Sequence, residues 1–115
     1  MKIAKKETEQ FQNGNTCTVQ KYSFPSKSLG LVTAEIKGRY PEQGKVLNEV
    51  SDEIYYVMSG SCTIHHQSGE YFIEEGDVFF FPADKWLWVE ADLLSIVVCT
   101  APPWSPGQHQ QLQDN

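Results

Sequence analysis

Two stretches decide the fold: Glu53-Ile-Tyr-Tyr-Val-Met-Ser-Gly60 and, after fifteen intervening residues, Gly76-Asp-Val-Phe-Phe-Phe-Pro82. Each is a short run of β-branched and aromatic residues closed by a turn former, which is the signature of a strand. The same texture extends outward. Cys17 to Phe24, Leu31 to Ile36, Trp86 to Val89 and Leu93 to Thr100 are further strand candidates. No segment carries apolar residues at i, i+3, i+4 and i+7 over three turns, so little helix is expected, at most a turn near either end. Turn formers at Ser59-Gly60-Ser61, Gln67-Ser68-Gly69-Glu70, Glu75-Gly76-Asp77 and Glu90-Ala91-Asp92 divide the runs, and short strands at this spacing predict a sandwich or barrel.

Composition sets the bounds. A chain of 115 residues suits one domain, with a core expected over about 16–100 and a C-terminal tail over 101–115. Hydrophobic residues make up 40% and charged residues 21%, as in globular proteins. The net charge of −6 and the absence of a basic stripe argue against nucleic acid, and an anionic membrane surface would repel the chain. Met1-Lys-Ile-Ala-Lys-Lys-Glu7 has no apolar run of the secretory kind. Cys17, Cys62 and Cys99 form neither a zinc spacing nor a disulfide framework and read as small buried hydrophobes, so a cytoplasmic, reduced protein is expected.

Register predicts a face. If one hairpin closes around Gly60 and Ser61, Val57 lies opposite Ile64 and Tyr55 opposite His66. Residues two apart share a face, so Glu53, Tyr55, Val57, Ile64 and His66 line one side. A second hairpin around Ser68 and Gly69 adds Tyr71 and Ile73. A slip of one residue would scatter the set.

The two quoted stretches resemble the motifs of the cupin family: a Glu followed by six residues and a Gly ends the first, and a Gly followed by five residues and a Pro opens the second. The resemblance covers about 31–100. It implies an all-β, double-stranded β-helix (jelly-roll) barrel. It also implies a metal held by two His and the Glu of the first motif and one His of the second. In this sequence the two His positions fall on Val46 and Asn48, or on Leu47 and Glu49 with the shorter spacing, and the second-motif position falls on Leu87. Only Glu53 remains of the four, so no metal or other cofactor is expected; Glu53 would be a ligand only if a metal were present. His65 and His66 are adjacent on a strand and face opposite ways, and His109 falls in the polar tail.

The expected pocket is therefore organic. Asn48, Glu49, Glu53, Tyr55, His66, Phe80 and Leu87 are its candidate lining, with Glu53, His66 and Tyr55 as candidate proton-transfer groups. Inward Leu87 puts Trp86 and Trp88 outside, and the parity that turns Phe80 inward puts Phe79 and Phe81 outside. Such aromatics would be covered by the N-terminal strands, by the Pro102-Pro103-Trp104 tail, or by a second copy in a homodimer. Arg39, Lys37 and Lys45 are expected on solvated loops. The first functional reading is a small-molecule-binding cupin. A metal-independent isomerase or epimerase acting beside a carbonyl is the second, and a metal-dependent dioxygenase the third. A sensor domain would call for fusion to a DNA-binding domain, which this sequence lacks.

Overall fold

The computed structural model describes residues 1–113. Nine strands follow one another: β1 (Glu9–Asn13), β2 (Cys17–Tyr22), β3 (Gly30–Tyr40), β4 (Lys45–Asn48), β5 (Asp52–His66), β6 (Gly69–Glu74), β7 (Val78–Phe81), β8 (Leu87–Ala101) and β9 (His109–Leu112). Two 3₁₀ turns, Lys5–Glu7 and Pro106–Gln108, are the helical pieces among the described residues. Among the described residues no helix is long and apolar enough to cross a membrane. The strands form a single curled sheet ordered β1-β2-β3-β8-β4-β9, with β5 against β8 and with β6 and β7 on the other edge of β5. The all-β jelly-roll expectation holds.

β5 and β8 form the spine, paired antiparallel from Asp52↔Ala101 to His66↔Leu87. The hairpin expected at Gly60 does not exist. β5 runs straight through that position, and register shifts between Val57 and Ser59 and between Gly60 and Thr63 bend it. Gly60 has a positive φ of 82°, and a Cβ there would collide with the carbonyl oxygen of Leu93. The glycine thus serves a β-bulge and a close backbone approach, which a sequence motif cannot tell from a turn. The corner expected at Glu90-Ala91-Asp92 is likewise a bend within β8, where Ala91 packs against the core opposite Gly38.

The bulges exchange the inward parity. On β5, Tyr55 and Val57 point in before the bend, and Cys62, Ile64 and His66 after it. The expected inward set is therefore nearly right for a different reason. Ile73 joins it, opposite Cys62, while Tyr71 is 39% exposed. Val57, Ile64, Val89 and Leu94 have no exposed surface and mark the core's centre.

Parity on β7 is opposite to expectation. Phe81 is buried, with its ring edge-on to Tyr55 at 4.6 Å, and Phe79 packs 4.6 Å from Phe81. Phe80 is 54% exposed. The pairing decides it, because Ile54↔Phe80 and Glu53↔Phe81 put Phe81 on the side of Glu53. Trp86 and Trp88 do face outward. A cation lies over each: the Lys45 ammonium 4.1 Å from the Trp86 ring and the Arg39 guanidinium 4.1 Å from that of Trp88. His65 stacks on Trp88 at 3.6 Å.

Gly60→Ala is expected to lower the free energy of unfolding by about 2–4 kcal/mol, through strain plus the clash with Leu93. Gly76→Ala, at a positive φ of 88° but with open space around it, should cost only about 1 kcal/mol. Equilibrium urea denaturation reads both.

Candidate functional site

The open side of the curl holds a cavity of about 530 Å³. Its floor is hydrocarbon from β2, β3 and β8: Val19, Ala34, Ile36, Ile96 and Val98. Polar groups gather at one end, where Cys17, Tyr40, Asn48, Glu53 and Tyr55 share the wall with His109. β5 delivers Glu53 and Tyr55 with the same parity, and β4 delivers Asn48 just before the loop into β5.

Glu53 is the centre of this end. Burial alone pushes its carboxyl up to about 7, and no cation pairs with it among the described residues. Its polar partner is the Asn48 amide, whose Nδ2 donates to Oε2 over 3.5 Å, a long hydrogen bond. The groups around it are weak acids held protonated by burial. The Cys17 thiol is pushed up to about 12, by burial first and the Glu53 charge second. Tyr40 is raised by burial first, then by Cys17 and Glu53, and Tyr55 by burial first, then by Glu53, Tyr40 and the two nearby thiols. A carboxyl titrating near neutrality among hydroxyls that stay protonated can exchange a proton while its neighbours donate hydrogen bonds.

The remaining sequence-predicted residues separate into two groups. Leu87 lines the cavity with Asn48, Glu53 and Tyr55. Glu49, His66 and Phe80 do not. Glu49 is exposed and accepts a hydrogen bond from Gln110 at 2.9 Å. His66 packs among Phe79 and Phe81, where it is 6% exposed. The Ser68 backbone N–H donates to its Nδ1 at 3.1 Å, so the proton sits on Nε2. Desolvation first, and Lys85 second, lower its pKa. It is a core histidine that does not line the cavity.

The segment after Ala101 does not trail away. The buried Gln108 side chain accepts from the backbone N–H groups of Val50 and Ser51 at 3.1 and 2.7 Å and donates to Ser51 Oγ at 2.9 Å. Ser51 in turn donates to the Pro102 carbonyl at 2.7 Å. β9 then pairs with β4, setting His109 opposite Asn48. His109 and Trp104 thereby reach the cavity wall. A proline-rich polar stretch gave no sign of this, because a four-residue strand is too short to show a period.

The donor set does not suit the metal the cupin resemblance implies. Val46 and Leu87 are cross-strand partners presenting hydrocarbon at two of the positions. At the third, the Asn48 amide oxygen is already occupied by two N–H donors. Among the described residues no three His, Cys, Asp or Glu side chains converge.

The cupin domain family matches residues 37–95, just over half the chain, and the chain belongs to that family. No curated protein sequence matches it. Among solved structures, Streptomyces Pac13 with uridine is 18% identical with a TM-score of 0.89, over 98% of this chain and 90% of that one. Pac13 is a nucleoside dehydratase. KdgF from Halomonas sp. is 16% identical with a TM-score of 0.71, over 86% and 92%. Bacillus subtilis oxalate decarboxylase is 16% identical with a TM-score of 0.79, over 96% of this chain and 31% of that one. At these identities the likeness is one of fold.

The raised Glu53 pKa has a thermodynamic consequence. The folded state binds this proton more tightly than the unfolded chain, so its contribution to stability is fully present below about 4.5 and is lost as pH rises through about 7. Glu53→Gln, a neutral isostere, should be more stable than the parent by about 1–3 kcal/mol near pH 8, with the gap closing near pH 5. Thermal unfolding at the two pH values reads the difference.

Proposed function

We propose that the cavity binds a small, uncharged polar molecule of sugar or nucleoside size and that Glu53 moves a proton on it without a metal. The observation that carries this reading is a carboxyl held near pKa 7 on the wall of a 530 Å³ cavity with no cation beside it. Chemistry of that kind is proton abstraction from carbon next to a carbonyl. Glu53 takes the proton and its electron pair moves towards the carbonyl oxygen. The same proton then returns at a neighbouring carbon in isomerisation, or assists departure of a hydroxyl in dehydration. Tyr55, kept protonated by burial, would donate a hydrogen bond to the developing oxygen charge. That structural relatives include a nucleoside dehydratase seen with uridine supports an enzyme over a passive binder.

Charge refines the choice of ligand. The chain's only arginine, Arg39, is committed elsewhere, donating to the carbonyls of Glu42 and Gly44 and lying over Trp88. Of the lysines, only exposed Lys21 lines the cavity. A phosphate would enter against Glu53 without a matching cation.

Thermal shift with paired ligands is the test. Uridine, other nucleosides and free sugars should raise the melting temperature, and their phosphate esters should bind at least about tenfold more weakly. Glu53→Gln should abolish turnover. Stabilisation by phosphate esters alone, or by divalent metal ions alone, would overturn the reading.

We also propose that two copies pair through the outer face of β5 and β7. Tyr56, Met58, Val78 and Phe80 are each at least 40% exposed there, adjacent across the Ile54↔Phe80 and Tyr56↔Val78 pairs. None carries charge, so a second chain of net charge −6 meets least repulsion on this face. Light scattering at micromolar concentration should give a dimer mass for the parent and a monomer mass for Phe80→Asp. A monomeric parent would discard the proposal.

A further inference from the structure

The orientation of one amide fixes the chemistry of the polar end. An indole N–H can only donate, and Trp104 Nε1 lies 2.9 Å from Asn48 Oδ1. That contact settles which end of the Asn48 amide is oxygen. The same oxygen lies 3.0 Å from His109 Nδ1, so this ring nitrogen must carry the proton. Burial lowers the His109 pKa, and the neutral ring then has its lone pair on Nε2. With Oδ1 occupied twice, the amide turns its NH₂ towards Glu53 Oε2, 3.5 Å away. Both donors ride on the segment that Gln108 and Ser51 fasten to the start of β5, so their position is set by a buried hydrogen-bonded latch.

We propose that Trp104 and His109 are positioning residues that lock the Asn48 amide with its NH₂ towards Glu53 and so favour the ionised carboxylate that abstracts a proton. Neither needs to touch the reacting atoms. A flipped amide would present oxygen to oxygen and disfavour that ionised form. The other groups facing Glu53 are Cys17 from β2, Tyr40 from β3 and Tyr55 from β5, all uncharged at neutral pH. Lys21 and Glu9 line the same cavity, and both are exposed. Among these neighbours, Asn48 has the orientation of its polar group fixed by two donors on its oxygen.

The inference rests on the proposed role of Glu53, but its test needs no ligand. The Glu53 carboxyl is titrated by carbon-detected NMR in the full-length parent, in Trp104→Phe, which keeps a ring and removes the donor, and in Asn48→Leu. Loss of the lock should raise the Glu53 pKa by about 0.5–1 unit in each variant, because the carboxylate loses its N–H partner. The double variant should add little beyond either single change. Opening of the wall to water would instead lower the pKa, so a fall, no change, or additive shifts would overturn the proposal. Should Trp104→Phe not fold, Asn48→Leu with His109→Gln, which retains an N–H donor, reads the same lock: the first should shift the titration and the second should leave it near the parent's. A normal shift without any ligand binding sinks the enzymatic reading alone. Ligand binding with an unmoved titration sinks only the lock.

Discussion

A fifteen-residue strand, extended, would be about 50 Å long, which exceeds the 43 × 28 × 24 Å extents of this molecule. β5 and β8 are both fifteen residues long and paired along nearly their whole length, and the register shifts show that they bend together. The bend sits where the backbone of Gly60 presses on the carbonyl of Leu93, a contact without room for a Cβ. Everything else is arranged around this shared corner.

The same corner sorts the titratable groups. Before it, β5 directs Glu53 and Tyr55 into open space. After it, the switched parity sends His66 into contact with Phe79 and Phe81. Two residues that simple alternation assigns to one pocket thus end in different chemical surroundings. The carboxyl is raised by loss of water while remaining within reach of a ligand, whereas the imidazole is lowered by the same cause and sealed off. Val46 and Leu87 present hydrocarbon to the cavity that Glu53 lines, and burial raises the carboxyl to about 7.

The site is completed from far along the chain. Gln108 threads its amide between backbone donors of Val50 and Ser51, and this one buried side chain anchors the return of Trp104 and His109 to Asn48. A buried amide with its polar atoms satisfied is worth more in a low-dielectric setting than in water, so the latch can hold a segment that has little apolar surface of its own.

The alternation of β-branched and aromatic residues, the glycines at 60 and 76 and the Glu at 53 were enough to establish an all-β cupin barrel, because each is a local property of a few consecutive residues. Asn48, Glu53 and Leu87 were picked out by position within those motifs, and Tyr55 by the parity it shares with Glu53. What only the tertiary structure decided was everything that depends on a bulge or on a distant partner. Whether Gly60 turns or bends, which of Phe80 and Phe81 faces in, and whether His66 or His109 joins the cavity are set by strand pairing. One extra residue in a ladder reverses a face without altering composition or spacing, and a pairing across 61 residues leaves no period to read.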